Sequence, residues 1–198
     1  MITKRSFLPL ALVFTAATGA FLSVSRADTA VVVSVPDQEL AVVRDGLKVA
    51  TYPVSTSKFG VSDRPRSYGT PIGSMQIAAK IGQGAPIGSV FKNRQRTGEI
   101  LRPNAPGRDP IVTRILWLKG NEARNCQAFG RNIYIHGTPE ERKIGRPASY
   151  GCIRMRSKDV VRVFESVPVG AKVEVVNASL RKALKEVAVN TAIPGHAG

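Results

Sequence analysis

Beyond residue 27 the apolar positions fall mostly into short, strand-like runs. Val31 to Val35 is an apolar β-branched run, and Glu39-Leu40-Ala41-Val42-Val43-Arg44 follows it. Asp45-Gly46 then separates that run from Leu47-Lys48-Val49-Ala50-Thr51-Tyr52-Pro53. An Asp-Gly pair between two strand-like runs predicts a hairpin, because both turn positions favour positive φ. Residues 72–79, introduced by Gly69-Thr70-Pro71, predict another strand, as do Ile111 to Leu118 and Ile133 to His136. Between Lys80 and Pro110 no period is readable, and Gly, Pro and Arg dominate. This stretch is expected to be a long basic loop, either a flap with Arg94, Arg96, Arg102 and Arg108 as contacts or a solvated insertion. The period changes after Ser157, which is expected to cap a helix running through Ser166. Asp159 suits its first turn, and Val160, Val163, Phe164 and Val167 recur at helical spacing. Val169-Gly170 turns into a closing strand at Lys172 to Val176, and residues 178–189 pattern as an amphipathic helix through Leu180, Leu184 and Val187. Residues 193–198 are expected to fray. The chain is predicted to be mostly β with a short helix.

The first residues change how the rest is read. Lys4 and Arg5 precede an uncharged, apolar or small run from Phe7 to Val24, and Ser25-Arg26-Ala27 offers small residues where a signal peptidase reads. Residues 1–27 are therefore expected to be a signal peptide, with an uncleaved membrane anchor as the alternative. The expected division is a leader over 1–27, one folded domain over 28–178, and a tail over 179–198 that carries a short helix. Among the 198 residues, 29 Lys+Arg against 14 Asp+Glu give +15. Loss of Lys4, Arg5 and Arg26 with the leader takes this to +12. In an exported protein, destined for the periplasm or cell wall, such charge suits anionic envelope polymers and not nucleic acid, or simply keeps the protein soluble. Membrane contact is expected only if the leader stays on.

Export also sharpens the meaning of the two cysteines, Cys126 and Cys152, which either pair or leave a thiol free for use. Cys152 lies in Ser149-Tyr150-Gly151-Cys152-Ile153-Arg154-Met155, downstream of Ile133-Tyr134-Ile135-His136-Gly137-Thr138. The second histidine, His196, sits in the tail, so a Cys–His pair would use His136. A thiol of ordinary pKa, roughly 8.5, is mostly protonated at neutral pH and needs a base to become a nucleophile. His136 would end a strand, which gives it a rigid base. Gly151 lets substrate backbone approach and main-chain N–H groups face an oxyanion. Arg154, two positions past Cys152, would project to the same side and could fork onto a carboxylate. Buried structural roles for both residues, and a zinc site built from Cys126, His136 and Cys152, stand as alternatives, although close-spaced ligand pairs are missing.

The string from His136-Gly137-Thr138 to Ser149-Tyr150-Gly151-Cys152-Ile153-Arg154 resembles the L,D-transpeptidase (YkuD-type) signature of a His, a spacer, and Ser/Thr-x-Gly-Cys with Arg or Asn two residues on. The order of elements over residues 30–177 is similar to that family as well. The resemblance implies a β-sandwich-like fold of mixed sheets, with Cys152 as nucleophile and His136 as base. It also implies that the Gly137 carbonyl orients His136 and that the N–H groups of Gly151 and Cys152 hold the oxyanion. Ser149 and Arg154 would bind substrate, together with Tyr134 and Thr138. No metal and no cofactor are implied. The implied reaction is acylation of Cys152 by a tetrapeptide stem of peptidoglycan with loss of D-Ala. An amine then takes the acyl group, giving a 3→3 cross-link or attaching an envelope protein, or water takes it. Tyr150 departs from the His that many relatives carry there. A disulfide between Cys126 and Cys152 would silence the enzyme, and a spare thiol at Cys126 is the plainer reading. Rival classes fit less well. In a sortase Arg lies several residues past Cys, papain-like peptidases place Cys before His, and a wall-binding module has no need of Cys152.

Overall fold

The structure is a computed structural model and describes residues 28–192. The expected leader and the expected frayed end lie outside the described residues. Ten strands and two helices follow in the order β1 (Thr29–Ser34), β2 (Glu39–Arg44), β3 (Leu47–Pro53), β4 (Gly73–Ile81), β5 (Ser89–Lys92), β6 (Gln95–Ile100), β7 (Ile111–Gly120), β8 (Tyr134–Gly137), β9 (Ile153–Met155), α1 (Ser157–Ser166), β10 (Lys172–Val176) and α2 (Leu180–Ala192). Short 3-10 turns cover Ala123–Asn125 and Glu141–Lys143.

The strands form one mixed sheet in the order β3-β2-β1-β10-β4-β7-β5-β6, and β8 and β9 branch from β7. The β1–β10 and β8–β9 pairs are parallel, and the rest are antiparallel. The mostly β, mixed-sheet expectation is met. Burial explains the sequence pattern. Val31 and Val33 of β1 enter the main core with Met75, Ile77, Leu116, Leu118, Ile135, Ile153 and Phe164. Val32 points to the opposite face, where Leu180 and Ala183 of α2 cover it together with Ala41 and Val43. A strand buried on both faces shows no alternation, hence the continuous apolar run. The expected helix through Leu180 and Leu184 forms and packs on β1 and β2. The Val187 side chain lies outside the described set.

Two expectations are corrected. Residues 80–110 are not a continuous loop but carry the β5–β6 hairpin. Its turn residues Asn93 and Arg94 take φ of 49° and 67°, and β6 is exposed along its whole length, so no apolar alternation marks it. Ser157 is not the cap of α1 but its first helical residue. Arg156 takes the extended cap position and makes no side-chain cap bond, and Oε1 of Glu141 accepts the Ser157 N–H at 2.8 Å. A carboxylate from the preceding turn thus satisfies a donor that a capping side chain would otherwise take.

Candidate active site

β7, β8 and β9 lie side by side, and the site is built where they end. Parallel pairing sets His136 against Arg154 and Gly137 against Met155. Gly137 is held to glycine by close approach, since a Cβ there would stand 2.6 Å from the Val112 carbonyl oxygen of β7. The imidazole Nδ1 of His136 is 2.8 Å from the Gly137 carbonyl oxygen. A carbonyl only accepts, so Nδ1 carries the proton and Nε2 is left with a lone pair. The hydrogen-bond contact expected between Gly137 and His136 is present.

Cys152 ends a tight turn before β9. Ser149 Oγ donates to the Cys152 carbonyl at 2.6 Å and accepts the Gly151 N–H at 3.2 Å. Gly151 has φ of 120°, and a Cβ would meet Ile133 Cδ1 at 3.2 Å and the Gly69 carbonyl oxygen at 3.3 Å. Both backbone angle and space therefore select glycine. Because its N–H is already given to Ser149, Gly151 is engaged inside the turn. The Cys152 N–H has no partner among the described residues. Cys126 is exposed, and both cysteines are free.

A cavity of about 160 Å³ is lined by Cys152, His136, Asp109, Ile111, Ser149, Tyr150 and Arg154. A second cavity of about 460 Å³ also reaches Cys152 and is lined by Arg66, Ser67, Tyr68, Arg131, Ile133 and Tyr150. Cys152 and Tyr150 belong to both. Burial pushes the Cys152 thiol up to about 11, against smaller opposing effects from a backbone contact with Tyr134 and from the charges of Arg131 and Arg154. Burial likewise lowers His136 to about 4, opposed by its bond to the Gly137 carbonyl and by the Asp109 charge, and reinforced by Arg154. Both shifts favour neutral forms, so at pH 7 the two groups rest as thiol and imidazole, with the thiol donating to the Asn132 carbonyl oxygen at 3.5 Å.

The remaining sequence-derived residues fall into place unevenly. Arg154 is buried and lines the smaller cavity, but its guanidinium is shared among Asp109, Glu140 (3.2 Å) and Ser55 Oγ (3.4 Å). Only Nε, also buried, is without a partner among the described residues. Thr138 is fully buried, donates to Asp109 and accepts the Glu140 N–H at 3.0 Å. Tyr134 is buried on β8 beside the thiol, and its hydroxyl accepts from Arg94 Nη1 at 3.2 Å. Of the four arginines singled out in residues 80–110, Arg94 is thereby tied to the floor of the site, while Arg108 pairs with Glu99. Tyr150 is 61% exposed, packs at 5.4 and 5.6 Å from the rings of Phe59 and Tyr68, and accepts a 2.9 Å bond from Lys58.

Arg131, Asp63, Asp109 and Glu140 are site residues that sequence reasoning missed. Arg131 pairs with buried Asp63 at 2.7 Å and donates to the carbonyls of Ser62, Ser67 and Gly69, which ties the Tyr68 loop to the wall of the larger cavity. Asp109 follows Arg108, Asp63 precedes Arg64 and Glu140 opens the run Glu140-Glu141-Arg142-Lys143, so nothing in the sequence sets these charges apart from their neighbours. Among the described residues no group of three or more His, Cys, Asp or Glu side chains is placed to hold a metal ion, and no helix is long and apolar enough to cross a membrane.

Comparison with known proteins adds the lineage. YqjB of Bacillus subtilis, which carries an L,D-transpeptidase name, is 29% identical over 162 residues, covering 82% of this chain and 78% of that protein. YkuD of the same organism, likewise named, is 46% identical over 79 residues, covering 39% of this chain and 48% of that one. Among solved structures, the avibactam carbamoyl enzyme Ldtfm superposes with a TM-score of 0.50 at 17% identity, over 77% of this chain and 50% of that one, which is a likeness of fold. This chain thus spans about half the length of the last two. The sequence profile of the YkuD family, described as the L,D-transpeptidase catalytic domain, matches residues 28–175. The chain belongs to the YkuD family of L,D-transpeptidase catalytic domains.

Proposed function

We propose that the protein is an exported cysteine acyltransferase that acts on the tetrapeptide stems of peptidoglycan in the periplasm or cell wall. The observation that carries this reading is the single cavity lined by both Cys152 and His136, with Nδ1 of His136 committed to the Gly137 carbonyl at 2.8 Å. Nε2 is then the base that takes the thiol proton. The thiolate adds to the carbonyl between the L-centre of the third stem residue and terminal D-Ala, and the Cys152 N–H holds the oxyanion. The C–N bond breaks, the imidazolium returns its proton to the leaving amine of D-Ala, and a thioester remains on Cys152. A second amine then attacks the thioester. The side chain of a diamino acid gives a 3→3 cross-link, a lysine of an envelope protein gives attachment, and water gives a trimmed stem. Arg66, exposed in the larger cavity, suits a substrate that carries carboxylates.

Intact mass of the reduced protein after incubation with a disaccharide-tetrapeptide tests the reading. An acyl adduct or released D-Ala is expected with wild type and not with Cys152→Ala. A carbapenem is expected to add its mass to Cys152 as well. Folded wild type that gives no adduct and no D-Ala would leave a wall-binding module as the better description.

A further inference from the structure

The transfer just described places a positive charge on His136 at the moment Cys152 loses its proton. The groups that face this imidazole come from four directions. Arg154 stands opposite it on β9, and Asp109 enters from the segment leading into β7. Cys152 lies across the cavity, and Glu140, just before a 3-10 turn, reaches Arg154 from the far side. Arg154 alone would oppose a second cation beside it. Asp109 and Glu140 both contact its guanidinium, so the three side chains together carry one net negative charge. Asp109 is the member of this set that itself lines the cavity with His136 and Cys152, and its other oxygen accepts the hydroxyl of Thr138, two residues past His136.

We propose that Asp109 is a positioning residue for acyl transfer, fixing Arg154 and Thr138 around His136 and supplying the negative charge against which the imidazolium forms. This rests on the reading of Cys152 as nucleophile and His136 as base. Proton and charge balance without a co-reactant: the proton moves from Sγ to Nε2, the thiolate and imidazolium appear together, and Asp109 takes no part in the proton transfer. The direction in which the Asp109 charge moves His136, toward holding a proton, agrees with this placement. Glu140 is a weaker candidate because it does not line the cavity, and its Oε1 is already paired with Lys143 at 2.6 Å.

The test compares Asp109→Asn and Asp109→Glu with wild type by steady-state kinetics on a disaccharide-tetrapeptide and by histidine NMR titration, His136 being assigned through His136→Gln. Asp109→Asn is expected to lower kcat about tenfold, a modest share of a general-base effect, with KM within about twofold. The His136 titration midpoint is expected to move down, and Asp109→Glu to recover most of both. An unchanged midpoint with unchanged kcat overturns the proposal. So does a loss of kcat that tracks a loss of Tm and that Asp109→Glu does not recover. If wild type forms no adduct at all, the acyltransferase reading fails, and the NMR midpoint still reports whether Asp109 biases the His136 proton.

Discussion

Two sides of Cys152 are built on opposite principles. On the His136 side the wall is made of strand ends, His136, Thr138 and Arg154 are buried, and the partly exposed carboxylates of Asp109 and Glu140 both contact the Arg154 guanidinium. On the Tyr150 side the wall is made of loops, and Phe59, Tyr68 and Tyr150 are 54%, 59% and 61% exposed. The buried side tolerates little, because close-packed backbone and paired charges leave no slack. The exposed side consists of rings that pack on one another and on Lys58 and stay open to solvent, so it can change residue type at small cost to the fold. Tyr150, where the resemblance led to an expectation of His, falls on the tolerant side.

The sharpest way to break this comparison is at the catalytic pair. Cys152→Ala is expected to remove the acyl adduct entirely, and His136→Gln to slow acylation by about 10²–10⁴-fold, read by intact mass against time. Next is Gly137→Ala, whose Cβ would meet the Val112 carbonyl oxygen at 2.6 Å and force β7 and β8 apart. It is expected to cost about 1–3 kcal/mol by denaturant unfolding and roughly 10²-fold in kcat, since His136 moves with the strand. A third effect is on pH. Between about 4 and about 11 the pair holds a single proton, so kcat/KM is expected to be flat across neutral pH and to fall on either side. The same depression of His136 acts on stability. As pH falls from about 6.5 towards 4, the unfolded chain takes up a proton that the folded His136 refuses, and stability drops by on the order of 3 kcal/mol. That portion of the acid destabilisation, measured as the difference from His136→Gln, is expected to vanish in the variant. The smallest effect is expected at the rim, where Tyr150→Ala should change KM severalfold, leave kcat within about twofold and leave stability within about 0.5 kcal/mol. A large loss of stability in that last variant would erase the distinction between the two sides.

The same division decided what was legible in the sequence. Cys152, His136, Gly137, Gly151 and Ser149 stand in one spaced motif, and the structure gathers them in one place because parallel β8 and β9 bring the two halves together. The helix over Ser157–Ser166 was readable because Val160, Val163 and Phe164 face one core. The β5–β6 hairpin was not, because β6 buries none of its residues and its turn relies on Asn93 and Arg94 at positive φ in place of glycine. Asp109 and Glu140 were invisible for another reason. Their place at the site comes through Arg154, 45 and 14 residues away in the chain. Arg154 was expected to hold a substrate carboxylate, and the geometry supplies carboxylates from the protein itself.

The raised thiol at Cys152 also bears on how long the enzyme lasts. Oxidants attack the thiolate, and a group held near 11 exposes only about one part in ten thousand of it at pH 7. In the oxidising surroundings proposed for this protein, a nucleophile permanently armed would be consumed between encounters with substrate. One that keeps its proton until the acyl bond forms can wait. Chemical dormancy, rather than a protecting disulfide, would then keep Cys152 serviceable.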